Sequence, residues 1–191
     1  MINYIIKEID ISIKNECYLS ALALALTLPD ICGKVEYPEL KTTDRYKKWS
    51  QLHLCQYEAP LKGNEEENDI EMPYLNEDIL YSLRCSILHE GTIKVDKSKI
   101  KENRCKVDYF RLIIDRVTVG GSSCITKNCF MKEERRELEV NVINLCWKLC
   151  RVAKAYYDDN RDKFDFFNYE IVDRNLDKED LMCGFSWGID K

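Results

Sequence analysis

Apolar residues recur at helical spacing at the start of the chain. From Ile2 to Leu28 the pattern is mostly that of a helix, and its Ala/Leu-rich second part has apolar residues on nearly every side. A helix of this kind is stable only when it is buried all round. Pro29 and Gly33 mark its end, with room for one further helical turn before Pro38.

A second helix is predicted at about 43–57, because Tyr46, Trp49 and His53 recur at a spacing that places them on one face. These rings have two interpretations. They can pack against the first helix, which is the simpler explanation, or they can stack on a base of single-stranded RNA.

The segment 58–73 is rich in acidic residues and contains a glycine and prolines. It cannot bury enough apolar surface to form a packed element, so we expect an exposed loop that proteases cut first. A third helix is predicted at 77–90. Asn76 is its N-cap, and Gly91 is the left-handed residue that follows its last turn.

The hydrophobic period changes from helical to alternating after the third helix. Within 106–119, Phe110 and Leu112 point to one side and Arg111 points to the other, which is typical of a strand. The short apolar run at 92–95 can pair with this strand.

The remaining segments complete the predicted architecture. We expect a loop at 124–129, a long amphipathic helix at about 132–158 and an edge strand at 164–172. The sequence therefore predicts one mainly α-helical domain, residues 1–191, with a small β hairpin or sheet inserted at about 92–121.

Composition and charge narrow the function classes. The chain has 191 residues, 45% of them hydrophobic, which is enough for one substantial core. Its net charge of −5 gives no overall basic field, so any RNA contact has to be local. The N-terminus lacks the pattern of a secretory signal, and the most apolar stretch, 17–28, is shorter than the about 20 residues that span a membrane. We therefore expect a cytoplasmic protein without a membrane partner.

The chain contains 10 cysteines and 2 histidines, so a metal site has to be considered. The cysteines do not show the C-x-x-C spacing of zinc sites. Cys124 with Cys129, or Cys146 with Cys150, could be soft ligands, but the second pair falls on one helix face and is better explained as core. We expect no metal ion and no cofactor.

Arg84 and His89 are the residues of the third helix that could carry chemistry. His89 lies in the predicted last turn, where the negative end of the helix dipole stabilises an imidazolium, and histidine can transfer protons near neutral pH. Arginine is always charged and suits a phosphate. Residues five apart lie about 140° apart around an α-helix, so the two do not share a stripe. In the alternative without chemistry, His89 caps the helix or packs at the surface, and Arg84 pairs with Asp78 or Glu77.

Small side chains occupy one face of the same helix. Ser82, Cys85 and Ser86 lie on the side of His89 and allow another backbone to approach closely. The expected neighbour is a second helix or a second subunit.

The stretch LRCSILHEG, residues 83–91, resembles the R-x4-6-H motif of the HEPN superfamily, a group of all-helical domains that includes many metal-independent endoribonucleases. The upstream segments ALALALTLPDICGKVEYP and RYKKWSQ are also similar to bacterial HEPN-like proteins. The resemblance covers about residues 15–155. It includes the order of the elements: a buried helix, an aromatic helix, an acidic loop and a helix that carries the motif.

The resemblance implies a HEPN-like helical bundle with Arg84 and His89 as catalytic residues. In the family these residues face their copies across a homodimer, so it implies a homodimeric endoribonuclease with an RNA substrate. A toxin–antitoxin or phage-defence setting, with an antitoxin protein as partner, fits that activity. Cys85 follows the arginine where the family often has a polar residue. This departure favours the alternative, a non-catalytic HEPN-like RNA-binding or adaptor protein.

Overall fold

The computed structural model describes residues 2–58, 74–100, 107–116, 123–128 and 135–166, and these are mainly helical. The α-helices are α1 (Ile2–Lys14), α2 (Tyr18–Ala25), α3 (Leu28–Glu36), α4 (Thr42–His53), α5 (Glu77–Cys85) and α6 (Val142–Asp159). A π-helical turn, Ser86–Glu90, continues α5. Short 3-10 turns lie at Cys55–Tyr57, Lys97–Lys99 and Arg161–Phe164, and the strands are β1 (Tyr109–Ile113), β2 (Ser123–Asn128) and β3 (Arg135–Asn141).

The prediction of one continuous helix from Ile2 to Leu28 is wrong. The chain turns between α1 and α2 at Glu16, whose φ of 60° is left-handed. The two helices pack against each other, and both contact α6. This arrangement buries apolar residues of both helices, which one straight helix could not do against the same neighbour.

Pro29 does not end a helix but lies in the first turn of α3. The first turn tolerates proline because its backbone N–H groups have no partner within the helix. The helical segment before Pro38 is therefore longer than predicted, and it positions Asp30 in the first turn of α3.

Among the residues that the structure describes, one helical stretch, Tyr18–Glu36, is long and apolar enough to cross a membrane by length and composition, and 44% of it is buried inside the protein. It comprises α2 and α3 with the turn between them. Ala21, Leu22 and Leu28 from this stretch are completely buried. The stretch forms part of the core, as the sequence predicts.

The core joins side chains from the helices and the sheet. Its largest fully buried residues are Trp49, Tyr46, Phe110, Ile2, Ile9, Leu22, Leu26, Leu28, Leu54, Leu75, Ile79 and Leu80. The helix α6 is central to this arrangement, because α1, α2 and α3 all pack against it.

The sheet has the strand order β1-β3-β2, with β1 parallel and β2 antiparallel to β3. A small sheet is confirmed, as is the strand at Phe110, but the sheet extends beyond the predicted range 92–121. The predicted loop at 124–129 is wrong over its described residues, because residues 124–128 belong to β2; Cys129 lies outside the described residues. The run at 92–95 joins β1 through an antiparallel bridge between Lys94 and Tyr109.

The predicted start of the last helix at about residue 132 is wrong, because residues 135–141 form β3. Leu138 and Val140 are completely buried, whereas Glu137 and Glu139, which alternate with them, are half-buried. Such alternation is the mark of a strand. The helix begins at Val142, where the Asn141 side chain accepts a hydrogen bond from the Asn144 N–H.

Two other predictions lie largely outside the described residues. Of the predicted loop at 58–73, Glu58 is described; it is buried, and its carboxylate accepts a hydrogen bond from Lys148 Nζ at 2.7 Å. Of the predicted edge strand at 164–172, Phe164 is buried in a 3-10 turn, and residues 167–172 lie outside the described part of the chain.

Candidate functional site

The helix that carries Arg84 begins and ends as the sequence predicts. The Asn76 side chain accepts hydrogen bonds from the N–H groups of Asp78 and Ile79, so it is the N-cap of α5. At the other end Gly91 has a left-handed φ of 60°. The last turn before Gly91 is not α-helical, however. It is the π-helical turn Ser86–Glu90, and the Gly91 N–H donates to the carbonyl oxygen of Ser86.

This π-helical turn changes the geometry of the motif. In a regular α-helix residues five apart lie about 140° from each other, but the wider turn closes a hydrogen bond between residues i and i+5 and brings side chains at this spacing together. Arg84 Nη1 lies 2.8 Å from His89 Nε2. The two motif residues are therefore in contact within one chain.

Asp30 is the third residue of this site. Arg84 Nε donates to Asp30 Oδ2 at 2.9 Å, and Arg84 Nη2 lies 2.8 Å from the same oxygen. The predicted alternative partner Asp78 instead forms an ion pair with Lys47 at 3.0 Å. Asp30 thus holds the inner side of the guanidinium, and His89 lies at its outer side.

Aromatic rings enclose the Arg84 guanidinium. Its Cζ atom lies 5.9 Å from the centre of the Tyr46 ring and 5.8 Å from that of Tyr81. The two rings meet edge to face at 5.3 Å, and the Tyr81 hydroxyl is 2.8 Å from Thr43 Oγ1. Tyr46 is completely buried. Both Cζ distances lie within the range of about 6 Å over which a ring attracts a cation, so the two rings stabilise the guanidinium here.

Burial and the neighbouring charge act in opposite directions on the pKa values of Asp30 and Arg84. Burial raises the pKa of Asp30 above its usual value, although Arg84 acts to lower it. Burial lowers the pKa of Arg84, but the neighbouring carboxylate of Asp30 outweighs this effect, so the net shift is upward. The Asp30 side chain is 17% exposed and that of Arg84 14% exposed, whereas His89 is exposed to solvent. The site is therefore open on the side of His89.

The contact between Arg84 and His89 constrains the role of the imidazole nitrogen Nε2. A guanidinium has only donors, so His89 Nε2 has to accept this bond with its lone pair. For Nε2 to accept this bond, the ring proton has to be on Nδ1. The lone pair that would take up a proton is occupied by Arg84.

The small-residue face of α5 is covered by the chain itself. Ser86 Oγ donates to the carbonyl oxygen of Lys94 at 3.2 Å, and the Asp96 N–H donates to Ser82 Oγ at 3.2 Å. Ser82 and Ser86 are completely buried, and Cys85 is 5% exposed. Another backbone does approach closely, as predicted, but it is the following segment of the same chain rather than a second subunit.

The second histidine belongs to a different part of the molecule. His53 Nε2 is 2.8 Å from Glu36 Oε2, and the His53 ring lies 4.8 Å from that of Trp49. Both rings contact Tyr156 of α6. Because Trp49 is completely buried, it is not available to stack an RNA base.

The cysteines of α6 are part of the core. Burial raises the pKa of Cys146 and of Cys150 to about 12, so these thiols stay protonated near neutral pH. Within the described part of the chain, no group of three or more His, Cys, Asp or Glu side chains is placed to hold a metal ion.

Sequence reasoning identified Arg84 and His89 but missed Asp30. Asp30 lies 54 residues before Arg84, and no spacing pattern connects two residues so far apart. The sequence shows Asp30 only as a carboxylate next to Pro29, where a helix end is predicted.

No model of a known protein family matches this chain, and neither does a curated protein or a solved structure.

Proposed function

We propose that this protein is a HEPN-like endoribonuclease that cleaves RNA without a metal ion and acts as a homodimer in the cytoplasm. The observation that supports this proposal most directly is the 2.8 Å contact between Arg84 Nη1 and His89 Nε2. It joins a permanent cation, suited to a phosphate, with an exposed imidazole that can transfer protons.

In the proposed reaction His89 accepts the proton of a ribose 2′-hydroxyl while its oxygen attacks the neighbouring phosphorus atom. The bond between phosphorus and the 5′-oxygen breaks, and an imidazolium returns a proton to that oxygen. Arg84 stabilises the negative charge that develops on the phosphate oxygens. The products are a 2′,3′-cyclic phosphate and a free 5′-hydroxyl.

The homodimer follows from the family resemblance, and the exposure of His89 is compatible with it. A second subunit that approached the open side of the site would bring its own Arg84 and His89, and its imidazole could then act as the acid while the first acts as the base. We place this contact at the exposed end of the π-helical turn and not at Ser82, Cys85 or Ser86, because the chain's own segment covers those residues.

A toxin–antitoxin or phage-defence setting, with an antitoxin protein as partner, belongs to the same proposal. The test is RNA cleavage by the purified protein in EDTA, followed by analysis of the product ends. Cyclic phosphate ends that depend on His89 would support the endoribonuclease.

The second candidate is a non-catalytic HEPN-like RNA-binding or adaptor protein. The ion pair of Arg84 with the half-buried Asp30 favours it, because a structural arginine would make this same contact. RNA binding without cleavage, over varied single-stranded and structured RNAs, would support this second candidate against the first.

A further inference from the structure

The Arg84 guanidinium has an inner and an outer side. Nε and Nη2 are directed to Asp30 Oδ2, at 2.9 and 2.8 Å. Nη1 contacts Nε2 of the exposed His89 at 2.8 Å. An anion that arrives from solvent therefore meets the guanidinium at Nη1, where the imidazole already accepts a hydrogen bond.

A phosphate oxygen is a stronger acceptor for a guanidinium N–H than a neutral imidazole nitrogen, because the bond to an anion is charge-assisted. A phosphate oxygen that takes the Nη1 hydrogen now bonded to His89 displaces Nε2 from it. The lone pair of the displaced nitrogen is then free of the hydrogen bond from Arg84 while a phosphodiester lies beside it.

From this geometry we infer that phosphate binding to Arg84 releases His89 as a base, and that Asp30 is the positioning residue that keeps the guanidinium in place during the exchange. That the phosphate belongs to RNA rests on the proposed function; the exchange itself requires only an anionic phosphate.

Asp30 is suited to this role by its contacts. Its Oδ2 atom binds two nitrogens of Arg84, so it fixes both the position and the plane of the guanidinium. Without it, Nη1 would no longer be held against His89, and the neutral imidazole would be free to carry its proton on either nitrogen.

Nitrogen-15 NMR of the histidine rings tests this inference, with His53 as an internal control. At about pH 8.5, well above the usual imidazole pKa, we expect His89 to carry its proton on Nδ1. We expect His53 to carry it on Nε2, because Glu36 can only accept a hydrogen bond.

Adding inorganic phosphate should shift the His89 Nε2 resonance in a saturable manner and leave His53 unchanged. A short single-stranded DNA, which has phosphodiesters but no 2′-hydroxyl, should produce the same change at lower concentration. The Arg84→Gln variant should lose this response. The inference is overturned if free His89 carries its proton on Nε2, if phosphate leaves its resonance unchanged, or if both histidines shift equally.

Two substitutions of Asp30 test the positioning role. Asp30→Ala should give His89 a mixture of both neutral tautomers, whereas Asp30→Asn, which keeps an acceptor for Arg84, should retain the Nδ1 tautomer. A single Nδ1 tautomer in the alanine variant would remove Asp30 from this role, and a tautomer mixture in the asparagine variant would do the same.

The readout is independent of RNA cleavage. If phosphate shifts the His89 resonance but the protein does not cleave RNA, the exchange is supported and the proposed nuclease activity is rejected. Cleavage that depends on His89, with no response of its resonance to phosphate or DNA, would retain the nuclease and reject the exchange.

Discussion

His53 and His89 both lie at the end of a helix, yet their surroundings differ in every respect that matters for chemistry. His53 faces a carboxylate, Glu36, and contacts the rings of Trp49 and Tyr156. His89 faces a guanidinium and is exposed to solvent. Because a carboxylate only accepts and a guanidinium only donates, we expect the two neutral imidazoles to carry their protons on different nitrogens.

The comparison shows that the partner of a histidine, rather than its position in a helix, determines what it can do. The contacts of His53 connect α3, α4 and α6, which is a structural role. His89 contacts Arg84, itself held by Asp30, and its other side is open. The following predictions test this division, beginning with the largest effect.

Replacing each histidine with glutamine separates the two roles most sharply. His89→Gln keeps an oxygen that accepts from Arg84 but cannot transfer a proton, so RNA cleavage should fall by about 10² to 10⁴. His53→Gln keeps an N–H donor for Glu36 and should cleave at nearly the wild-type rate. The measurement is the initial rate of cleavage in EDTA, with circular dichroism to confirm folding. Equal rates for wild type and His89→Gln would point to a contaminating nuclease and remove the catalytic assignment.

The ring cluster around His53 should matter for stability. Trp49 is completely buried, so Trp49→Ala should lower the free energy of unfolding by about 3–5 kcal/mol. Leu52, on the same helix, is 56% exposed and serves as the control, because Leu52→Ala should change stability by about 0.5 kcal/mol or less. Urea unfolding measures both values. A small loss for Trp49→Ala would contradict a structural role for this cluster.

The substitution Gly91→Ala tests whether the left-handed backbone at Gly91 stabilises the π-helical turn that carries His89. A Cβ at this position would meet nothing within 4 Å, so the cost of Gly91→Ala comes from the left-handed backbone alone. We expect a loss of about 1–2 kcal/mol in thermal unfolding. Gly33→Ala is the matched contrast, because its Cβ would lie 3.0 Å from the backbone oxygen of Arg45 and its effect would come from a clash. If Gly91→Ala unfolds at the same temperature as the wild type, the backbone of the turn relaxes to accommodate the alanine.

The smallest expected effect concerns the segment that covers α5. Burial acts to raise the pKa of Asp108, but hydrogen bonds from Lys97 and Arg136 outweigh it and hold the pKa below its usual value. A depressed carboxylate pKa stabilises the folded state above the unfolded pKa, and this stabilisation is lost as the pH falls. Asp108→Asn should therefore cost less than about 1 kcal/mol near pH 7, with a difference from wild type that shrinks below about pH 4. If the stability difference between wild type and Asp108→Asn grew on acidification, the pKa of Asp108 would not be lowered in the folded state.

Local chemistry explains which parts of the fold could be predicted. The cap at Asn76 and the left-handed Gly91 depend on neighbouring residues, and both predictions are confirmed. The strand at Phe110 is also confirmed, since its alternation is visible over a few positions. The strand β3 was missed because its alternation was read as the first turns of the following helix. The signal is present in the sequence, where Leu138 and Val140 alternate with Glu137 and Glu139.

The sequence by itself determined the mainly helical fold and the two ends, at Asn76 and Gly91, of the helical segment that carries Arg84 and His89. Three features were decided by the tertiary structure alone. These are the π-helical turn that joins the two side chains, the cover of α5 by its own chain, and the pairing of Arg84 with Asp30. The physical reason is the separation along the chain over which each interaction acts. Caps and periodicity act over one or two turns, whereas Asp30 reaches Arg84 across 54 residues only because α3, α4 and α5 pack together.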